Sequence, residues 1–164
     1  MDFSQWLTEN PAGELFYTFL IAMLPVVELR GAIPVGVGLL GRSALPSVYL
    51  AAVLGNMLPV PFIIVYIRRI FQWLRRRSRR LDSLVTRLET KAHLKGRMVT
   101  RYKYLGLCIL VAIPLPGTGA WTGALVAAFL DMRLRSAVPA IFLGVLIAGV
   151  LVSLVTGGVI AAFF

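Results

Sequence analysis

A glutamate and an arginine two residues apart interrupt the first long apolar segment of the chain. The segment runs from Leu15 to Leu40, and Glu28 and Arg30 lie near its middle. A charged side chain at the centre of a bilayer costs about 2.5–3.5 kcal/mol on insertion scales. Two such residues do not fit a plain lipid-facing helix, so we expect them to face protein, water or a ligand.

The composition indicates an integral membrane protein. Of the 164 residues, 59% are hydrophobic and only 15% are charged. The mean hydropathy is +0.84. A soluble core built from a chain of this length could not bury so much apolar surface, whereas lipid can cover it.

The net charge of +10 is a local feature of the chain. Thirteen of the 17 basic residues lie between Arg68 and Lys103, and the remainder has four basic and five acidic residues. Such a basic segment beside apolar segments marks the cytoplasmic side of a membrane, and nucleic acid is not expected as a partner. Apolar residues within 81–88 recur at helical spacing, which predicts an amphipathic helix on the membrane surface. A topology anchor accounts for this charge; lipid sensing or a partner site is the alternative.

Proline and glycine divide two apolar segments into pieces of about half the bilayer thickness. Leu15–Leu24 spans about 15 Å as a helix and ends at Pro25, after a predicted turn at Asn10-Pro11. Tyr104–Leu130 is interrupted between Pro114 and Gly123. Irregular backbone at membrane depth persists only where protein or water shields it. We therefore predict that each segment forms a re-entrant hairpin; a single kinked span is the alternative.

Two further segments are predicted to cross the membrane. Ser47–Ile67 has 21 residues without a charge, and Ala137–Phe164 is the final apolar run. Asn56 lies inside the first of these, shortly before Pro59 and Pro61, which free backbone carbonyls upstream. Its amide is expected either to contact a ligand or to support the kink at these prolines.

An internal repeat relates the two halves of the chain. Arg42–Leu50 and Arg135–Leu143 are identical at five of nine positions. Because the linker is placed in the cytoplasm, the first hairpin would enter from outside and the second from inside. The predicted fold is thus an all-α integral membrane domain over residues 1–164. It is an inverted repeat of two units, 1–67 and 104–164, and each unit consists of a re-entrant hairpin and a transmembrane helix. The basic cytoplasmic amphipathic linker (68–103) joins the two units. Such repeats bind substrates where their broken helices meet near the midplane. If both broken segments span fully, there are four spans and both termini are inside.

The segments Glu28–Pro34 and Pro114–Trp121 together resemble the small multidrug export protein family, and the resemblance covers most of the chain. That family is similar to the DedA group and to eukaryotic lipid scramblases of the VTT type. The resemblance implies two re-entrant hairpins that face each other, movement of lipids including the polyprenyl phosphate carrier, and functional membrane-embedded charges, here Glu28 and Arg30. The second hairpin departs from the DedA pattern because it contains no arginine.

The charged motif has a functional and a structural interpretation. In the first, Arg30 binds an anionic head group and Glu28 takes up a proton or a cation, since burial favours the protonated form of a carboxyl group. Gly117, Thr118 and Gly119 would offer backbone amides to the anion where a second half-helix starts. In the second, Glu28 and Arg30 form a pair that only locks the hairpin.

The predicted substrate- or ion-binding set joins both broken segments. Trp121 and Thr122 are expected to line the cavity, although packing in the core explains Trp121 equally well. The set comprises Glu28, Arg30, Asn56, Pro114, Pro116, Gly117, Thr118, Gly119, Trp121 and Thr122.

The residue pattern favours transport over catalysis. We expect no enzyme activity, metal or other cofactor, because no span holds a histidine or a nucleophile–base pair. The first hypothesis is a carrier or lipid translocase in the inner membrane of a prokaryote, coupled to protons or sodium. The alternatives are a non-transporting membrane assembly or insertion factor and a small-molecule exporter. Membrane lipids are the expected partners, and the glycines of the last helix permit a homodimer.

Overall fold

The computed structural model describes residues 10–77, 83, 85–87, 90, 104–115 and 117–163. All regular elements in these ranges are helical. The α-helices are α1 (Pro11–Ala22), α2 (Glu28–Leu40), α3 (Leu45–Met57), α4 (Pro59–Arg77), α5 (104–112), α6 (Ala120–Phe129) and α7 (Leu134–Phe163), and a 3-10 turn covers Arg42–Ala44.

The described residues fall into two compact units. The first comprises Met1–Leu58 with Val145–Phe164, and the second comprises Pro59–Gly144. Each unit therefore contains one of the two broken segments. The two long apolar segments, Arg42–Ile67 and Leu134–Val159, are each divided between the units. This division does not coincide with the predicted repeats 1–67 and 104–164, whose long helices each contribute to both units.

In the first unit, α1, α2 and α3 pack against one another. Gly36 on α2 lies so close to α1 and α3 that an added Cβ atom would be 2.7 Å from Thr18 Oγ1 and 2.7 Å from Val48 Cγ1. Gly55 on α3 meets the backbone of α1, because a Cβ atom there would overlap the carbonyl oxygen of Phe19. Glycine is required at both positions for the helices to approach this closely.

The second unit repeats this style of packing. A Cβ atom on Gly123 of α6 would lie 2.5 Å from Val111 of α5 and 3.5 Å from Ile141 of α7. Gly144 of α7 lies against the carbonyl oxygen of Cys108, at 2.7 Å from an added Cβ atom. In the same unit α4 packs on α6, where the rings of Phe71 and Phe129 lie 5.7 Å apart.

Both predicted breaks are present. The chain is non-helical from 23 to 27, around Pro25, and again over the described residues between 113 and 119. Packing of α1 on α2 brings the two short helices side by side. The orientation of this helix pair relative to a membrane, and hence the re-entrant hairpin, stays a prediction.

Two boundaries differ from the sequence predictions. Asn10-Pro11 starts α1 instead of forming a turn: Asn10 is the N-cap, its side chain accepts a hydrogen bond of 3.0 Å from the Ala12 amide, and Pro11 is the first helical residue. Both residue types favour these positions. The helix of the predicted span does not end at Ile67, because α4 continues to Arg77.

Among the described residues, two stretches are long and apolar enough to cross a membrane, Arg42–Ile67 and Leu134–Val159. The first is interrupted at Leu58, whose amide nevertheless donates to the Leu54 carbonyl at 3.1 Å. In the predicted amphipathic helix of the linker, the described residues 83, 85–87 and 90 are helical and Val85 is buried. The other residues of that helix, and its placement on a membrane surface, lie outside what the structure describes.

Candidate functional site

A tight turn between α1 and α2 places the charged motif. The Glu28 amide donates to the Leu24 carbonyl at 3.0 Å, which closes one turn around Pro25. Proline has no N–H to continue α1, so the helix ends before it and a new one starts at Glu28. A carboxylate in the first turn of a helix is favoured by the helix dipole.

Glu28 is held in an unusual conformation. Its φ angle is +48°, in the left-handed region, and its exposed fraction is only 4%. A non-glycine residue in this region stores roughly 1–3 kcal/mol of strain, and such residues concentrate at functional sites. The strain and the burial together make Glu28 the most unusual residue among those described.

The backbone turn at Glu28 lets two charges meet that a continuous helix would keep apart. Residues i and i+2 do not face each other on a regular helix. Here Arg30 Nη2 lies 3.9 Å from Glu28 Oε2, and the exposed fractions of the two side chains are 23% and 6% respectively. A charge-assisted hydrogen bond between such groups would be about 2.7–2.9 Å long. The pair is therefore a loose electrostatic contact, with the guanidinium group more open than the carboxylate.

Asn56 is the other buried polar residue of the first unit that was predicted to bind a ligand. It is fully buried on α3, and neither its Oδ1 nor its Nδ2 atom has a hydrogen-bond partner among the described residues. The amide therefore does not support the helix interruption at Leu58 by hydrogen bonding. A buried polar group without a partner costs about 1–3 kcal/mol.

The second break is organised by a threonine hydroxyl. Thr118 Oγ1 lies 2.7 Å from the carbonyl oxygens of both Ile113 and Leu115 and accepts a hydrogen bond of 3.1 Å from the Leu115 amide. The Thr118 amide itself donates to the Leu115 carbonyl at 3.0 Å. Of the three amides predicted to bind an anion, that of Thr118 is thus engaged within the loop.

Glycine is required on both sides of Thr118. Gly117 and Gly119 have φ angles of +75° and +130°, which residues with a Cβ atom rarely adopt. Gly119 precedes α6, and no side-chain hydrogen bond caps that helix. Thr122 Oγ1 donates to the Gly117 carbonyl at 3.0 Å, so this predicted site residue also ties the loop to the helix.

The structure brings some of the predicted residues together. Glu28, Arg30 and Asn56 belong to the first unit, and the predicted residues of the glycine loop belong to the second. Pro114, Trp121 and Thr122 are half-buried, and Pro116 lies outside the described residues. The predicted meeting of the two tips stays a prediction.

A further feature of the first unit was not predicted. An apolar groove of about 240 Å³ lies between α3 and the last part of α7. Ser153 Oγ is buried beside it without a partner among the described residues, and Tyr49 donates to the Leu146 carbonyl at 3.0 Å. Hydroxyl groups inside apolar spans are the sequence signal that could have drawn attention to it. The lining residues are Leu45, Pro46, Tyr49, Val150, Ser153 and Leu154.

Among the residues that the structure describes, no group of three or more histidine, cysteine or acidic side chains could hold a metal ion.

The helices and the charge pair define a class of protein. Two helical stretches of membrane-spanning length, with a buried glutamate beside a half-buried arginine at a helix break, are features of an integral membrane protein. The chain belongs to the family described as "putative small multi-drug export protein", whose family model matches residues 28–151. The matched range starts at Glu28, directly after the first break, and includes the second break. This confirms the family predicted from the two motifs, whereas the relation to the DedA group stays a prediction.

Comparisons with curated proteins and with solved structures found no relative of this chain.

Proposed function

We propose that this protein is a membrane transporter for amphiphiles with an anionic head group, a class that includes a polyprenyl phosphate carrier. The observation that carries the proposal is the charge pair at the first break: a carboxylate buried to 4% exposure in a left-handed backbone, 3.9 Å from a more open arginine. Ionisable groups inside membrane proteins commonly mark substrate or ion pathways.

In the proposed mechanism Arg30 binds the head group. A guanidinium group matches the planar, two-oxygen face of phosphate or carboxylate. The Arg30 side chain is 23% exposed, so an anion that reaches it competes with the Glu28 carboxylate for the guanidinium group. Glu28 then takes up and releases a proton or a sodium ion, which couples transport to an ion gradient.

The proposed membrane arrangement follows from the basic linker and the repeat. The linker lies in the cytoplasm, the helix pair α1–α2 enters from outside, and the loop before α6 enters from the cytoplasm. The location is the inner membrane of a prokaryote, the surrounding lipids are the partners, and a homodimer is compatible with Gly157 and Gly158, around which the space is open.

Transport in proteoliposomes tests this function. Purified protein is reconstituted with a fluorescent phosphate-headed lipid, and flux is measured for wild type, Glu28→Gln and Arg30→Ala. We expect both variants to lose flux while remaining monodisperse in detergent. Arg42→Ala is the matched control, because Arg42 is an exposed arginine in the 3-10 turn. Full flux in both site variants would remove the site assignment.

A second candidate is a small-molecule exporter, which the family description favours. Assaying the same vesicles with a cationic dye separates the two. Dye flux that depends on Glu28 but not on Arg30 would favour the exporter. Absence of all flux would favour a membrane assembly or insertion factor.

Cysteine labelling tests the proposed topology. In a Cys108→Ser background, Leu24→Cys should react with an impermeant reagent from outside and Thr118→Cys from the cytoplasm. Labelling of Leu24→Cys from the cytoplasm alone would contradict a first helix pair that enters from outside.

A further inference from the structure

The exposed surface of α4 changes character along the helix. Over its first two turns the exposed side chains are apolar, namely Phe62, Val65 and Tyr66. From Arg69 onward, charged and polar side chains join the apolar ones on the exposed surface. The change occurs inside one unbroken helix, where the long apolar stretch that ends at Ile67 gives way to the basic segment. We therefore expect α4 to pass from the hydrocarbon region to the membrane surface at this point.

Three residues of the second part of α4 lie on one face. Arg69, Trp73 and Arg76 follow one another at spacings of four and three residues, which places them in one row along a helix. All three side chains are exposed, Trp73 at 61%. At a rise of 1.5 Å per residue, Trp73 lies about 6 Å along the axis from Arg69, and Arg76 about 10 Å. We call this row, an aromatic ring with a guanidinium group on each side, the arginine face.

The charges of the arginine face are not neutralised by the chain around them. Between Glu28 and Asp82 the sequence contains no aspartate or glutamate. In the part of the chain that the structure describes, neither Arg69 nor Arg76 takes part in an ion pair. Both positive charges are therefore available to an anion from outside the chain.

The length of the arginine face corresponds to one head-group layer. The hydrocarbon core of a bilayer is about 30 Å thick within a total of about 40–45 Å, which leaves about 5–7.5 Å for the head groups on each side. With Tyr66 at the edge of the core, Arg69 lies at the base of this layer and Trp73 lies within it. Arg76 reaches the outer edge of the layer. Tryptophan concentrates at this depth because its ring is apolar and its N–H group is polar.

We propose that the arginine face is a binding site for an anionic phospholipid of the surrounding bilayer. Arg69 and Arg76 bind the phosphate group, whose oxygens match the planar guanidinium fork. The apolar part of the lipid lies against Trp73 and Ile70, which is 48% exposed one position after Arg69. These apolar contacts favour a lipid over a soluble anion, which would gain nothing from them.

This site is distinct from the charge pair at the first break. The arginine face belongs to the second unit, whereas Glu28 and Arg30 belong to the first. Its ligand is a resident lipid and not a transported molecule, so the inference does not rest on the proposed function.

The bound lipid lies across α4 from a helix contact. Phe71 is buried, and its ring lies 5.7 Å from that of Phe129 on α6. Two positions along a helix correspond to about 200° around it, so Phe71 points away from both Arg69 and Trp73. A lipid on the arginine face therefore holds α4 from the side opposite α6 and stabilises the folded protein.

Calorimetric titration of the full chain in a neutral detergent tests the site. The probe is dioctanoyl phosphatidylglycerol, and zwitterionic dioctanoyl phosphatidylcholine is the reference. We expect binding of the first lipid only, weakening as salt is added because the arginines are exposed. Arg69→Gln with Arg76→Gln should bind about 30-fold more weakly, since each basic residue near an anionic lipid contributes about a factor of five. Equal binding of the two lipids by wild type would overturn the proposal.

Two further variants separate a built site from general attraction to positive charge. Arg133→Gln with Arg135→Gln is the matched control, because it removes two exposed arginines at the start of α7, and it should bind as wild type does. Trp73→Ala, which keeps the net charge, should weaken binding about threefold. Equal losses in the two arginine pairs would show diffuse electrostatic attraction only. Unchanged binding by Trp73→Ala would likewise overturn the site.

Thermal denaturation of the same proteins gives a second measurement. Phosphatidylglycerol should raise the midpoint of wild type and of the control pair but not that of Arg69→Gln with Arg76→Gln, because only a ligand of the folded state stabilises it. Without lipid the midpoints should agree, since glutamine replaces exposed arginines at helical positions that it favours. A lipid-induced rise that persists in this variant would overturn the proposal. Loss of flux in Glu28→Gln leaves all these outcomes unaffected, so the two proposals fail independently.

Discussion

The two breaks in the apolar segments are stabilised in opposite ways. At the second break the polar groups satisfy one another: the Thr118 hydroxyl bonds the loop backbone, and two glycines adopt left-handed conformations. At the first break a buried glutamate takes up the left-handed conformation itself, and its ion pair is long. The second break has the features of a structural joint, whereas the first holds a strained, buried glutamate in a charge pair.

The units also share a device, the close approach of a glycine on a long helix to a backbone carbonyl. Gly55 contacts the Phe19 carbonyl in the first unit, and Gly144 contacts the Cys108 carbonyl in the second. Gly144 lies 89 positions after Gly55, and Cys108 lies 89 positions after Phe19. The two units therefore share a kind of helix contact, while their breaks differ in chemistry.

The largest expected losses of stability are at these two glycines. Gly55→Ala would drive a methyl group into the Phe19 carbonyl and should destabilise the fold by about 3 kcal/mol, the upper end for overpacking. Gly144→Ala, with 2.7 Å available to the Cys108 carbonyl, should cost about 1–2 kcal/mol. Denaturation of the detergent-solubilised protein measures both.

Gly38→Ala is the control for this pair, because a Cβ atom there meets nothing within 4 Å. It should leave the fold unchanged or slightly more stable, since alanine is the better helix former. Equal losses at Gly55 and Gly38 would show that helix contacts do not distinguish these positions.

The next effect concerns the second break. Thr118→Val keeps the shape of the side chain and removes the hydroxyl group that serves Ile113 and Leu115. We expect a loss of about 1–3 kcal/mol from the backbone groups left unpaired. Thr118→Ser should retain most of the stability because it keeps the hydroxyl. If the valine variant is as stable as wild type, this break is not the structural joint described above.

Several of these features follow from the sequence, for identifiable reasons. The helical class, the two breaks and the family were predictable because hydropathy, proline and glycine act locally. The continuation of α4 to Arg77 was missed at the charge boundary, although arginine is a good helix former. The start of α1 was missed because Asn10-Pro11 was interpreted as a turn instead of as a cap followed by a first-turn proline.

The candidate site was predictable in its residues but not in its geometry. Glu28, Arg30 and Asn56 stand out as polar residues in apolar segments. The left-handed backbone at Glu28 depends on how the turn from Leu24 closes, which no local pattern specifies. The unpaired state of the Asn56 amide depends on its neighbours in the packed helices.

A smaller effect on stability is expected at the first break. Glu28→Gln removes the charge and retains the size and hydrogen-bonding capacity of the side chain, and Arg30, at 23% side-chain exposure, stays partly solvated. We expect the free energy of unfolding to change by at most about 1 kcal/mol, although transport is lost. Glu28→Gly should relieve the left-handed strain and be the more stable of the two. Unfolding of Glu28→Gln would favour the structural interpretation of the pair and would remove the contrast between the breaks.

The smallest expected effect on stability concerns the N-terminal caps of α1 and α6, the helices that flank the two breaks. Asn10 caps α1 with its side chain, whereas no side-chain bond caps α6 at Gly119. Asn10→Ala should therefore cost about 0.5 kcal/mol, the low end for a cap because this hydrogen bond is exposed, and Asn10→Asp should restore it by accepting the same bond from the Ala12 amide. Thermal denaturation of the three proteins checks this, with flux as the second measurement. Because the cap lies at the far end of α1 from Pro25, flux per folded molecule should stay constant. A fall in flux at unchanged stability would mean that the entry of α1, and not only its broken end, takes part in transport.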